Sequence, residues 1–91
     1  MEYSYPIEYD WSTDEMVTVI SFYEAIEKAY DKGIKKHELM ERYREFKTIV
    51  PGKATERNLC SEFEEVSGFS AYKTMQAAKE RADEETIRMK A

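Results

Sequence analysis

The sequence predicts an all-α protein: a single domain with a compact array of four helices and an extended N-terminal arm over residues 1–11. Apolar side chains recur every three or four residues along four segments, the spacing of a helix with one buried face. Only three glycines and two prolines occur in 91 residues, so turns are few and the elements are long. A hydrophobic content of 42% is sufficient for one modest core in a chain of this length.

The first helix is predicted to begin after Ser12, in the segment "WSTDEM". The Ser12 hydroxyl can accept from a backbone amide, and Glu15, three residues later, can close a capping box. Trp11 before the cap and Met16 after it are placed to form a hydrophobic staple. Gly33 is expected to end the helix in a left-handed conformation. The buried face is predicted to comprise Met16, Val19, Ile20, Tyr23, Ile26 and Tyr30.

Two further helices are predicted in the middle of the chain, over about residues 36–49 and 53–67. Pro51 and Gly52 stop the first of them, and Gly68 stops the second. The predicted buried faces comprise Leu39, Tyr43, Phe46 and Val50 in one helix, and Leu59, Phe63 and Val66 in the other.

A fourth helix is predicted to begin at Ser70 as its cap and to run to Ala82. Its buried face is predicted to comprise Tyr72, Met75 and Ala78. The following segment, residues 83–91, has only Ile87 and Met89 to bury. We therefore expect it to continue as a helix that frays, forming a C-terminal extension.

The N-terminal arm carries three tyrosines that alternate with polar residues around Pro6, a pattern typical of extended chain. We expect the arm to lie across a groove between helices, with Tyr5 or Ile7 as its anchor. Alternatively, its alternation offers an edge to another chain, since a lone strand needs a partner strand. Aromatic rings that are not needed to pack a helix onto the core indicate a contact surface if they are exposed together. This candidate partner surface comprises Tyr3, Tyr5, Tyr9 and Phe69.

The net charge of −5 is unevenly distributed along the chain. Residues 1–33 hold eight acidic and two basic side chains, whereas residues 34–58 hold four acidic and seven basic ones. An acidic protein repels nucleic acid at long range. The most basic helical stretch, "ERYREFK" at residues 41–47, mixes glutamates with its arginines, which argues against a DNA-reading helix.

The basic middle segment holds a candidate anion site at Lys47, Lys53 and Arg57. The segment "PGKAT" at residues 51–55 superficially resembles a phosphate-binding loop. It lacks the earlier glycine and the hydroxyl residue after the lysine, so nucleotide binding by this route is rejected. Free backbone amides at the start of the third helix, with these three cations nearby in sequence, still offer an anion site. The alternative is a solvated loop with surface charges.

No set of residues points to catalysis, a metal or a cofactor. A nucleophilic Cys60 would need a positioned base, and His37 is the single histidine. The carboxylate runs at residues 62–65 and 83–85 include no Glu-x-x-His pair and no calcium-loop pattern, so they are interpreted as solvated faces. We therefore expect a protein that is not an enzyme.

The chain lacks the long apolar run of a membrane span and the basic start of a signal peptide. We expect a cytoplasmic protein with no membrane partner.

Three segments, "YPIEYDWSTDE", "YREFKTIVPGKA" and "FEEVSGFSAYK", resemble a family of short bacterial proteins known as uncharacterised protein family two-hundred-and-twenty-three. The resemblance covers about residues 3–80 in register. It implies a small, soluble, all-helical cytoplasmic protein of low-GC Gram-positive bacteria with no established activity, and it brings no catalytic residues. The chain departs from the pattern at Gly52 and Lys35, where capping residues are expected.

The sequence leaves the function unknown and favours one class by exclusion: a non-catalytic interaction or adaptor protein with a protein partner, including the option of a homodimer. The alternative is a binder of a phosphate-bearing ligand or nucleic acid through the basic middle segment.

Overall fold

The computed structural model describes residues 4–90, which form an all-α array with a small two-stranded sheet. In chain order the elements are α1 (Thr13–Tyr30), β1 (Ile34–Lys35), α2 (Lys36–Ile49), α3 (Lys53–Ser67), α4 (Ala71–Lys79) and β2 (Thr86–Ile87). The predicted fold class is confirmed. All four helices begin where the sequence predicted, whereas α1 and α4 end earlier than predicted.

The first helix begins with the predicted capping box. The Glu15 amide donates to the Ser12 hydroxyl at 3.2 Å, and the Ser12 amide donates to the Glu15 carboxylate at 2.8 Å. At the other end, Gly33 adopts the left-handed conformation with φ of 99°, and its amide donates to the Lys28 carbonyl at 2.7 Å. The helix itself already ends at Tyr30, so Gly33 serves the turn into β1.

Stacked aromatic rings at the centre of the core join three helices. Phe22 and Tyr23 are both fully buried on α1. The Phe22 ring lies 4.5 Å from that of Phe46 on α2, and the Tyr23 ring lies 4.7 Å from that of Phe63 on α3. These rings remove a large apolar area from water and fix the relative positions of α1, α2 and α3.

The described part of the N-terminal arm packs on this core through Tyr5. Its ring lies 5.6 Å from that of Tyr23 and 6.2 Å from that of Phe63, and its hydroxyl donates to the Glu27 carboxylate at 2.8 Å. The Tyr23 hydroxyl in turn donates to the carbonyl of buried Pro6 at 3.0 Å. Tyr5 is therefore the anchor, whereas Ile7, the other predicted anchor, is exposed.

The prediction that residues after Ala82 continue as a fraying helix is wrong. Helix α4 ends at Lys79, and β2 pairs antiparallel with β1, placing Ile87 opposite Ile34. Ile87 is buried, and the Met89 amide donates to the carbonyl at the end of α1 at 2.8 Å. The run of acids at residues 83–85 is unfavourable at a helix C-terminus, and β1 offers unpaired backbone groups instead.

The turn before β1 is tightly packed against β2, which gives a test. A Cβ atom at Gly33 would lie 2.7 Å from Thr86 Cγ2 and 2.8 Å from Arg88 Cγ, and φ there is +99°. We expect Gly33→Ala to lower the free energy of unfolding by roughly 2–4 kcal/mol, measured by urea denaturation. The control is Gly68→Ala, where φ is +81° but a Cβ meets open space, with a cost of about 1–2 kcal/mol. Equal losses would contradict the packing of β2 on this turn.

The Tyr5 anchor gives a second test. We expect Tyr5→Ala to lower the free energy of unfolding by roughly 2–4 kcal/mol, because a stacked ring and a hydrogen bond are lost together. Tyr9→Ala is the control, since the Tyr9 side chain is 95% exposed and its removal is expected to change stability by less than about 0.5 kcal/mol. Both values come from the same denaturation measurement. An unchanged stability for Tyr5→Ala would mean that the arm does not hold the core.

Candidate functional site

A cleft with a volume of about 510 Å³ lies between α2, α3 and α4. Its size is in the range of ligand-binding sites. Helix α2 contributes one side, α3 supplies residues along most of its length, and α4 forms the facing wall. The lining residues are Phe22, Met40, Tyr43, Lys53, Glu56, Arg57, Cys60, Ser61, Glu64, Ala71, Tyr72, Met75, Gln76 and Lys79.

The floor of the cleft is apolar. Phe22 is fully buried beneath it, and Met40, Cys60 and Met75 are half-buried around it. The Phe22 ring lies 5.6 Å from that of Tyr43, so this part of the floor is firmly packed. Methionine side chains are flexible and polarisable, and they adapt to differently shaped apolar groups.

A polar cluster joins α2 to the start of α3. It includes Lys47, one of the predicted anion-binding residues. The Lys47 ammonium donates to Glu56 Oε1 at 2.6 Å, and the Tyr43 hydroxyl donates to Glu56 Oε2 at 2.9 Å. Burial raises the pKa of the Tyr43 hydroxyl to about 12, and its hydrogen bond to Glu56 adds to the rise. Lys47 also contacts the Pro51 carbonyl at 3.3 Å. The Lys47 charge is therefore neutralised within the fold.

The other two predicted anion-binding residues, Lys53 and Arg57, lie one turn apart on the α3 wall of the cleft. Lys79 lies on the facing wall, on α4. All three are exposed, and none forms an ion pair with any carboxylate in residues 4–90. The structure thus brings two of the three predicted residues to the cleft and adds Lys79, whereas Lys47 is paired with Glu56 and does not line the cleft.

The candidate partner surface is divided by the fold. Tyr5 stacks on the core, and Phe69 is half-buried with its ring 4.6 Å from that of Tyr30. Tyr9 remains as a 95% exposed ring, and Tyr3 lies outside the described residues. Two of the four rings are thereby used in intramolecular packing.

Sequence reasoning missed the α4 wall because it assigned Tyr72 and Met75 to the core together with Ala78, which is buried as predicted. The buried residues of α4 are Ala71, Thr74 and Ala78, all small. Tyr72, predicted to be buried, is 71% exposed and lines the cleft with Met75. The spacing of Tyr72, Met75 and Lys79 was the available signal. These residues follow one another at intervals of three and four positions, so all three lie on one side of the helix.

Cys60 lies in the floor but is poorly suited to nucleophilic chemistry. Burial raises the pKa of its thiol to about 12; the Glu56 carboxylate adds to the rise and Lys47 opposes it. His37 is exposed at the start of α2 and does not line the cleft. Within residues 4–90, no three His, Cys, Asp or Glu side chains are grouped so as to hold a metal ion. The cleft thus offers apolar and cationic contacts.

Comparison with known proteins identifies the family. The profile of an Uncharacterised protein family (UPF0223) matches residues 2–87. The chain belongs to the UPF0223 family. The description of UPF0223 gives no activity, so the function of this member is not known from its family.

Curated relatives that the chain resembles include UPF0223 proteins of Bacillus and Listeria. The chain is 56% identical over 89 residues to a UPF0223 protein of Bacillus mycoides and 52% identical over 89 residues to the UPF0223 protein YktA of Bacillus subtilis. Both matches cover 98% of this chain and 100% of the relative. A UPF0223 protein of Listeria welshimeri is 54% identical over 79 residues, covering 87% of this chain and 88% of the relative.

The helices of this UPF0223 protein differ from membrane-spanning helices. None of those in the described part of the chain combines the length and the hydrophobicity that a membrane crossing requires.

The environment of Cys60 gives a third test. Because burial raises the pKa of the Cys60 thiol, the folded protein holds less of the reactive thiolate near neutral pH than the unfolded chain does. We expect carbamidomethylation by iodoacetamide at pH 8, followed by mass spectrometry, to be at least about a hundredfold slower in the native protein than in urea. The native rate should rise with pH through the alkaline range, since burial raises the pKa of the thiol.

The control moves the thiol by one residue to an exposed position. A Cys60→Ser, Ser61→Cys variant should react in the native state at nearly its unfolded rate, because Ser61 is exposed. Equal native rates in the two proteins would contradict the buried, proton-holding environment of Cys60.

Proposed function

We propose that this UPF0223 protein is a small non-catalytic interaction protein of the bacterial cytoplasm, and that a protein partner binds in the cleft between α2, α3 and α4. One observation carries the proposal: an open cleft with an apolar floor and three cations on its walls that no carboxylate of residues 4–90 pairs. A folded chain normally fills or covers apolar surface, so an unfilled groove of this kind favours a docking role.

The chemistry of the groove supports binding over catalysis. The Cys60 thiol keeps its proton at neutral pH, and the Tyr43 hydroxyl is bound to Glu56. A reaction would need a base or nucleophile whose pKa lies near the working pH. The groove instead supplies Met40, Met75 and Tyr72, which are side-chain types enriched where proteins contact one another.

The alternative, a phosphate-bearing ligand or nucleic acid held by Lys47, Lys53 and Arg57, has less support. Lys47 and Glu56 neutralise each other, so only Lys53 and Arg57 of the three residues remain on the cleft for an anion. The whole chain also carries a net charge of −5, which opposes nucleic acid at long range.

Two exposed tyrosines allow a matched test of the docking role. Tyr72 is 71% exposed in the cleft, and Tyr9 is 95% exposed on the arm. We expect immobilised wild-type protein to capture a defined protein from Bacillus subtilis extract. Tyr72→Asp should reduce its amount by more than about tenfold in quantitative mass spectrometry, because a charge would enter the groove. Tyr9→Asp introduces the same charge outside it.

The Tyr9→Asp protein should capture the same partner as the wild type, and the melting temperatures of both variants should confirm that they fold. Capture that is equally reduced by both changes, unaffected by Tyr72→Asp, or absent in the wild type would refute the proposed site.

A further inference from the structure

We infer that the occupant of the cleft is a helical segment of another protein, about three turns long, with apolar residues on the face toward the floor and acidic residues on its flanks. This inference rests on the proposed docking function and specifies the partner's chemistry. It follows from three properties of the cleft: its charge, its length and the nature of its walls.

The charge of the cleft is opposite to that of the protein as a whole. Lys53 and Arg57 stand on one wall and Lys79 on the other, whereas the charge of Glu56 is neutralised by Lys47. Glu64 is the remaining lining carboxylate, so three cations face one anion in a chain with a net charge of −5. A partner with flanking carboxylates would be attracted to this groove and repelled by most other surfaces of the protein.

The length of the cleft corresponds to a short helix. Its α3 lining extends from Lys53 to Glu64, and the lining residues recur at helical spacing along that wall. Eleven steps of about 1.5 Å give a groove of about 16 Å, or three helical turns. A partner helix of about 12 residues would place three or four apolar side chains over the floor.

The walls favour a helix over an extended peptide. They are formed by α2, α3 and α4, whose interior amides and carbonyls are bonded within each helix, and the strands of the described chain do not line the cleft. An extended peptide would bury backbone amides that find no hydrogen-bond partner in the cleft. A helix forms hydrogen bonds between its own amides and carbonyls. Met40 and Met75 can adapt to the anchoring side chains of such a helix.

The probes for this inference are two fluorescein-labelled synthetic peptides of about 14 residues. Both carry leucine at helical spacing on one face; their flanks carry glutamate in one peptide and lysine in the other. We expect fluorescence anisotropy at low salt to show the acidic peptide binding at least about tenfold more tightly than the basic one. Raising the salt from about 0.05 M to about 0.5 M should weaken that binding.

Charge reversal in the cleft provides the decisive comparison. The double variant Lys53→Glu, Arg57→Glu should reverse the preference, so that the basic peptide binds more tightly. Its matched control is Lys32→Glu, Lys73→Glu, which changes the net charge equally at two exposed lysines that do not line the cleft. That control should retain the preference for the acidic peptide. In the Cys60→Ser, Ser61→Cys variant, whose exposed thiol lies on the cleft lining, iodoacetamide labelling should slow when the acidic peptide is bound.

Several outcomes would overturn the inference. These are equal affinity for the two peptides, equal binding of a sequence-scrambled acidic peptide, and a preference that both double variants abolish alike. Displacement of the acidic peptide by inorganic phosphate at matched ionic strength would assign the cleft to a small anion. A dimer in sedimentation equilibrium that Tyr72→Asp dissociates would assign it to a second copy of this chain.

A negative result in the peptide experiment and a negative result in the capture experiment have different meanings. If capture from the extract depends on Tyr72 but neither peptide binds, the docking function stands and the helical acidic partner is refuted. If capture does not depend on Tyr72, the docking function itself is refuted.

Discussion

Two neighbouring rings on α1, Phe22 and Tyr23, hold α2, α3 and the N-terminal arm in place. Consecutive residues of a helix point about 100° apart, so one turn of α1 presents one ring toward α2 and the other toward α3. Phe22 stacks on Phe46, Tyr23 stacks on Phe63, and Tyr5 brings the arm against Tyr23. Burial raises the pKa of the Tyr5 hydroxyl above its usual range, and the hydrogen bond to Glu27 reinforces this, so the arm is fixed by a neutral donor. The relative placement of α1, α2, α3 and the arm therefore depends on a single helical turn.

The same turn determines where the cleft lies. Helix α3 meets α1 and the arm through Phe63, and the adjacent face of α3, with Cys60 and Glu64, lines the cleft. The link from α3 to α2 runs through long polar side chains, since Tyr43 and Lys47 both bind Glu56. That link pairs the half-buried polar groups where α2 meets the start of α3 without requiring apolar packing there. Space therefore remains between the helices beside Met40 and Cys60, and the cleft is a consequence of how α3 is held.

The sequence predicted local features well and tertiary ones poorly. The Ser12 cap, the helix order and the Tyr5 anchor follow from residue types and spacing within a few positions. The β1–β2 pair involves two residues from each strand, and nothing local distinguishes Ile87 from a residue at the end of a frayed helix. The pairing of Lys47 with Glu56 also depends on how α2 meets α3, which neither helix specifies by itself. The buried residues of α4 are small, so the larger Tyr72 was wrongly predicted to be the one that packs in the core.

The electrostatics of the cleft follow from what folding does to the basic middle of the chain. Residues 34–58 hold seven bases and four acids, and folding pairs Lys47 with Glu56 and Arg42 with Glu38. The cations of this segment that line the cleft, Lys53 and Arg57, keep their heads in water and so cost little to leave unpaired. The raised pKa of the Cys60 thiol indicates that the floor beside them disfavours charge. Near such a surface charges interact more strongly than in bulk water. An acidic side chain that an apolar anchor brings to this surface would therefore interact more strongly with Lys53 and Arg57 than it would at an open surface. The apolar and the electrostatic contributions to binding reinforce each other only for an occupant that carries both kinds of side chain.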